Sequence, residues 1–155
     1  MIRNARTFGV PIALAATLAF LPAAAFAGAD IAKLTADANA GIAEAQFQLG
    51  NAYLRGDGVA ADPVASAKWC QMAAEQGYAP AEAQLAMKLG NGNGVTKDRV
   101  EGDKWMNLAS RADSHNVNLL RMYESQMSQD DLQKGHAAAD QWQAAHANPP
   151  KTSAN

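Results

Sequence analysis

Gly56-Asp57-Gly58-Val59-Ala60-Ala61-Asp62-Pro63-Val64-Ala65-Ser66-Ala67-Lys68-Trp69 returns later in the chain as Gly92-Asn93-Gly94-Val95-Thr96-Lys97-Asp98-Arg99-Val100-Glu101-Gly102-Asp103-Lys104-Trp105. The offset is a constant 36 residues, with no gap, and seven of the fourteen positions are identical. A period of this length is the mark of a stacked-repeat architecture, in which each unit buries its apolar face only against its neighbours. The two copies decide the fold class, because everything around them repeats at the same interval.

Inside each copy the residue types read as turn, cap and wedge. Gly56 and Gly58, then Gly92 and Gly94, supply the positive φ of a tight reversal. Asp62 and Asp98 sit where a carboxylate accepts the free N–H groups of a first helical turn. Pro63 follows at the first helical position, where its missing N–H is no loss. Glu101 stands three residues after Asp98, the capping-box spacing. Trp69 and Trp105 are read as core wedges between paired helices. The glycines do not read as a phosphate cradle, which needs a preceding strand and a helix starting straight after the glycines. An aspartate at the helix start would also repel an anion. Asn91, Asn93 and Asp98 lack the ligand ladder and closing glutamate of a calcium loop.

No segment alternates β-branched residues at period two, so no strands are expected. A first helix is expected over 30–39, closed by Gly41. The segment 43–54 follows, with Ala45, Leu49 and Tyr53 on one stripe. Gly50 beside that stripe costs helix propensity, which fits a helix backbone that must come close there. The helix after Asp62 runs to about Gln76, with Val64, Ala65, Trp69, Met72 and Ala73 as its expected buried set. Ala67, Cys70 and Ala74 lie on a flank where small side chains admit a second neighbour. Pro80 restarts the pattern, and the helix after Asp98 is expected to bury Val100, Trp105, Leu108 and Ala109. A degenerate unit then covers 114–126, and Ser128 opens a last helix to about Ala145. The end, 148–155, reads as a solvated tail.

The chain has 155 residues, and its first 27 look like a leader. A basic start with Arg3 and Arg6, an apolar run over 10–20, Pro22, and the small-x-small Ala25-Phe26-Ala27 are what a signal peptidase accepts. Cleavage is expected between Ala27 and Gly28, leaving no membrane span and a periplasmic or secreted chain. Without Arg3 and Arg6 there remain 11 basic and 15 acidic side chains, in no runs of either sign. That excludes the basic stripe on which nucleic-acid binding depends. The single cysteine, Cys70, cannot form an internal disulfide, and reads as a small, partly buried apolar residue. His115, His136 and His146 show no local zinc spacing and read as surface residues. No serine sits in a nucleophile-elbow context. No catalytic, metal or cofactor residue is assigned.

The pattern Ala45, Leu49, Gly50, Tyr53, Gly56, Gly58, Val59, Asp62, Trp69, Ala73, Ala74, Gly77, repeated as Ala81, Leu85, Ala86, Leu89, Gly92, Gly94, Val95, Asp98, Trp105, Ala109, resembles the Sel-one-like repeat family, a relative of the tetratricopeptide repeats. The second copy departs from it at Glu101-Gly102 and at Asp113, which replaces the closing glycine. The resemblance implies an all-α, short right-handed solenoid: an incomplete first helix over 28–42, repeats over 43–78 and 79–114, and a degenerate unit with a capping helix over 115–146. It also implies a protein-binding adaptor or regulator in an envelope, polysaccharide, motility or host-interaction process, and not an enzyme. The competing function, a hydrolase of cell-wall or β-lactam substrates, follows from cysteine-rich relatives whose paired cysteines this chain lacks. In helical-pair solenoids the first helix of each unit lines the binding surface. Gln48, Asn51, Arg55, Gln84, Met87, Lys88 and Asn91 are therefore the expected contact face for a protein partner.

Overall fold

Two backbone hydrogen bonds set the helix pairs. The Asp62 amide donates to the Tyr53 carbonyl at 2.9 Å, and 36 residues on the Asp98 amide donates to Leu89 at 3.0 Å. Each bond folds the Gly-x-Gly loop back onto the helix it leaves. Gly56 and Gly92 close those helices at φ +78° and +75°, donating to the Ala52 and Lys88 carbonyls. Asp62 and Asp98 then share one conformation, φ −143° with ψ 101° and φ −144° with ψ 104°. The Asp62 carboxylate accepts from the Val64 and Ala65 amides, and Asp98 accepts from Glu101. The capping box expected at Glu101 does not close. With the Asp98 amide committed to Leu89, the Glu101 carboxylate turns instead to Trp105 Nε1, at 3.0 Å, and to Lys104.

The computed structural model describes residues 23–147. Seven α-helices follow one another: α1 (Ala23–Asn39), α2 (Ala43–Arg55), α3 (Pro63–Ala74), α4 (Ala79–Asn91), α5 (Arg99–Ala112), α6 (Val117–Glu124) and α7 (Gln129–Ala147). A short 3₁₀ turn (Ser114–Asn116) leads into α6, and the described residues contain no strand. The architecture is thus all-α and repeat-like. The helix α1 starts ahead of the expected position 30 and runs through the expected Ala27–Gly28 junction. The remainder of the expected leader, 1–22, and the tail 148–155 lie outside the described residues. Helices α1 to α6 pack on their neighbours in sequence, and α7 lies against α5. The Ser128 hydroxyl opens α7 by accepting from the Asp131 amide at 3.2 Å while donating to its carboxylate at 2.8 Å. Asp113, which stands where the first repeat has Gly77, takes an extended φ of −140° and caps the 3₁₀ turn. The second repeat therefore ends differently from the first, in which Gly77 adopts φ +77°.

Of the stripe expected to be buried on α3 only Ala73 is fully so, and the small-residue flank makes up most of the buried face. Ser66, Ala67, Cys70, Ala73 and Ala74 are buried, whereas Val64 is 65 % exposed and Trp69 is half-buried against Ala38, Ala45 and Leu49. The reason is Gly50 on α2. A Cβ there would stand 2.9 Å from Cys70 Sγ and 3.1 Å from the Ser66 carbonyl, so α2 and α3 meet backbone to backbone. Small side chains on α3 complete that approach, and the larger Val64 is left outside. Similarly, a Cβ on Gly94 (φ +76°) would run into the Pro63 carbonyl, so the second loop rests directly on the start of α3. In α5, Val100 is only half-buried, while Gly102, Asp103, Met106 and Asn107 join Trp105, Leu108 and Ala109 inside. The main core lies among α3, α4, α5 and α7, around Leu85, Trp105, Met106 and Leu108, with the Trp142 ring edge-on to Trp105 at 5.6 Å.

The repeats also differ at one buried polar position. Gln46 on α2 donates from Nε2 to the Ala38 carbonyl at 3.1 Å and accepts from Gln76 at 2.7 Å. Its counterpart 36 residues on is Glu82, 2 % exposed, with Oε2 lacking a partner. Burial pushes the Glu82 carboxyl up to about 7 from its ordinary 4.5. Between those values the folded chain keeps a proton that the unfolded chain has released. Folding therefore takes up a proton, and stability falls as pH rises from about 4.5 to 7.

Two outcomes are expected from these contacts. Gly50→Ala should destabilise the chain by about 1–3 kcal/mol in urea denaturation, because the helices must separate. In a double-mutant cycle Cys70→Ala should recover part of that loss, since Sγ is the nearest obstruction; strict additivity would contradict the packing described. Glu82→Gln should stabilise the chain progressively above pH 4.5, reaching about 1–3 kcal/mol at pH 8. An amide is uncharged at every pH, as Gln46 is at the equivalent buried position. A gain that did not vary with pH would show Glu82 to be ionised in the fold.

Candidate functional site

The first helices of the two repeats, α2 and α4, are tied to each other by the half-buried Gln84, whose Nε2 donates to Oδ1 of the half-buried Asn51 at 2.9 Å. Gln48 is exposed and bound to Glu44, and Arg55 is exposed with its guanidinium 3.6 Å from the Asp57 carboxylate. Met87 is 37 % exposed and Asn91 is exposed beside it. Lys88 departs from the expected face. It is only 3 % exposed, and its ammonium donates to Ser66 Oγ at 2.9 Å inside the α3–α4 junction. Position 88 lies one residue round the helix from Met87, on the side facing α3, and the short Ser66 leaves room for the long stem. Burial lowers the Lys88 pKa, and its ammonium is directed to Ser66 rather than to the open face.

Two shallow depressions flank Met87. One, of about 130 Å³, is bounded by Leu54, Gln84, Lys88 and Asn93, and the other, of about 50 Å³, by Gly90, Arg99, Tyr123 and Gln126. Met87 and Asn91 line both, so they form the ridge between them. The surface offers an adaptable thioether, the apolar Leu54, several amides and one guanidinium. That mixture suits a peptide with an apolar anchor and polar flanks. Neither lining includes a histidine, cysteine, serine or carboxylate.

The histidines divide into three cases. His115 is open to solvent and 2.7 Å from Asp113. His146 stacks on the Trp142 ring at 3.9 Å. His136 on α7 is different, with Nε2 2.8 Å from Glu124 Oε1 on α6 and 3.7 Å from Asp103 Oδ2 on α5. Asp103 is fully buried, and neither carboxylate oxygen has a hydrogen-bond partner. Desolvation pushes its carboxyl up to about 6, with His136 opposing the rise and Glu124 adding to it. The reading of all three histidines as plain surface residues misses this cluster, because its members are far apart in sequence and join only through the packing of three helices. One signal was present: Asp103 occupies the repeat position of Ala67, so a charge stands where the first copy has a core alanine. Cys70, expected to be partly buried, is completely so. Burial pushes its thiol up to about 11, and its sulfur is out of reach of another chain.

Comparison with known proteins places these features in a family. The Sel1 repeat model matches residues 43–78 and 79–114. A crystal structure of c5321, a protective antigen present in uropathogenic Escherichia coli strains and displaying an SLR fold, is similar over 76 % of this chain at 31 % identity, with a TM-score of 0.72. A Sel1 repeat protein from Oxalobacter formigenes is similar over 74 % at 26 % identity, with a TM-score of 0.62. The chain spans 26 % of the first of these proteins and 50 % of the second. No protein of curated function matches it. Sel1 repeat proteins are generally non-catalytic scaffolds for protein–protein interaction. No helix among the described residues is long and apolar enough to cross a membrane. The chain carries two consecutive Sel1 repeats, which form its α2–α3 and α4–α5 helix pairs.

Proposed function

We propose that the chain is an exported interaction scaffold, which holds a segment of a partner protein on the face that runs from α2 over α4 to α6. The observation that carries this reading is the ridge of Met87 and Asn91 between two depressions, on the helix that opens the second Sel1 repeat. A half-exposed methionine adapts its shape to an apolar anchor, and the amides of Gln84 and Asn91 are suited to backbone groups of the bound segment. Gln48 and Arg55 stand at the α2 end of the same face, where they would meet the flanks of the segment. The basic, apolar and small-x-small order of the first 27 residues supports export. The likeness to a protective antigen is in keeping with an envelope or host-facing role. The partner would then be an envelope, polysaccharide-regulating, motility or host protein.

A photo-crosslinking residue at Met87 should capture one dominant protein in cells, and the same residue at Lys134 on α7 should not. Met87→Glu should weaken that complex by roughly tenfold, the effect of losing a single anchor contact. Equal background capture at both positions would sink the assignment of the face. N-terminal sequencing of the chain recovered outside the cytoplasm should begin at Gly28. An intact Met1 would overturn the cleavage reading.

A further inference from the structure

The two junctions between successive units place opposite charges at equivalent positions. Where α4 meets α3, the buried polar residue is a cation, Lys88, which donates to Ser66. The position 36 residues further is Glu124 on α6, and Ser66 is replaced by Gly102. Beside it stands the fully buried Asp103 in place of Ala67. The second junction thus gathers two carboxylates where the first holds an ammonium. Among the described residues no lysine or arginine lies within ion-pair distance of either carboxylate; only His136 does. The α7 backbone seals the site, for a Cβ on Gly135 would run into the Asp103 carboxylate. Both Asp103 oxygens are left without a hydrogen-bond donor in an environment closed to water. A buried carboxylate without a partner is costly, and a cation is the natural partner for one.

We propose that Asp103, Glu124 and His136 bind a divalent transition-metal ion of the zinc type, which locks α6 and α7 onto the second repeat. The three ligand atoms lie within 4.8 Å of one another. Around a tetrahedral Zn²⁺ with bonds of about 2.0–2.1 Å, neighbouring ligand atoms stand about 3.3 Å apart. The observed 2.8 Å from His136 Nε2 to Glu124 and 3.7 Å to Asp103 bracket that spacing, and the Glu124 and Asp103 oxygens, within 4.8 Å of each other, would draw together around the ion. Two carboxylate oxygens and one imidazole nitrogen make a borderline-hard donor set, suited to zinc and its first-row neighbours. The ion takes the place of the proton between His136 and Glu124; an imidazolium gives that proton to solvent and a neutral ring shifts it to Nδ1, so that a neutral imidazole binds through Nε2 and a water fills the fourth position on the exposed side of His136. Each ligand comes from a different helix: α5, α6 and α7. The metal would therefore be a staple for the short α6, which buries no residue completely.

Titration of the purified full chain with Zn²⁺, in competition with a chromophoric chelator, should show one ion bound per chain and a raised thermal midpoint. His136→Gln and Glu124→Gln, both altered at partly exposed side chains, should keep cooperative unfolding and helical circular dichroism yet weaken binding at least about 100-fold. His115→Gln, which alters the solvent-open pair with Asp113, should leave binding unchanged. Co²⁺ in place of Zn²⁺ should give the intense visible spectrum of a four-coordinate ion, absent from the His136→Gln variant. Absence of saturable binding, binding that survives His136→Gln, binding lost in His115→Gln, or a Co²⁺ spectrum no different from that of the ion in buffer would each overturn the proposal.

Discussion

The approach of α2 to α3 through Gly50 is the constraint on which the remaining packing depends. A glycine in the middle of a helix costs about 1 kcal/mol of propensity relative to alanine. Here it lets Cys70 Sγ and the Ser66 carbonyl come within contact of the α2 backbone. Once the helices are this close, only small side chains fit between them, which is why Ser66, Ala67, Cys70 and Ala74 form the buried face of α3. The bulky Trp69 is displaced to the edge, where it covers Ala38, Ala45 and Leu49. The same rotation carries Ser66 to the α4 side, where it meets Lys88. A single missing methyl group thus determines which residues are core, which are edge and which are polar links to the next unit.

The second repeat reuses the loop geometry but not the interior. The dihedrals of Gly92 and Asp98 agree with those of Gly56 and Asp62 to within a few degrees, yet Glu82 replaces Gln46, Asp103 replaces Ala67 and Gly102 replaces Ser66. The loop is held by backbone hydrogen bonds, which tolerate different side chains so long as glycine and aspartate keep their places. The interior is held by side-chain packing, so it changes with the neighbour that each repeat meets. The first repeat is followed by another full unit. The second is followed by the short α6 and by α7, and its buried Asp103 faces those two helices. In a stacked-repeat array each repeat is stabilised by its neighbours, so the helices that follow the last full repeat cover its apolar face.

The exposed Met87–Asn91 face and the acid–histidine cluster therefore belong to different levels of the molecule. Met87 and Asn91 are exposed because α4 turns one side toward its neighbours and the opposite side outward, as any amphipathic helix does. Their exposure follows from helical spacing alone. Asp103, Glu124 and His136 meet because three helices from the C-terminal half converge, and no local pattern connects them. Lys88 belongs to the second class also. Lysine is rarely buried, and counting it among the surface residues followed its type, whereas its partner Ser66 lies 22 residues away on another helix.

What the sequence by itself determined is the repeat: its 36-residue period, the glycine turns, the aspartate caps, the absence of strands from the described residues and the assignment of Met87, Asn91, Gln48 and Arg55 to exposed positions. These follow from local chemistry, since a positive φ, a free first-turn N–H and a 3.6-residue period act within a few residues of the side chains that answer them. Only the tertiary structure decided which face of α3 is buried, that Glu101 serves Trp105 and not its own helix end, that Cys70 and Lys88 are enclosed, and that His136 stands beside two acids. Each of these depends on distances between helices, and those are set by the size of the side chains that meet there, Gly50 above all.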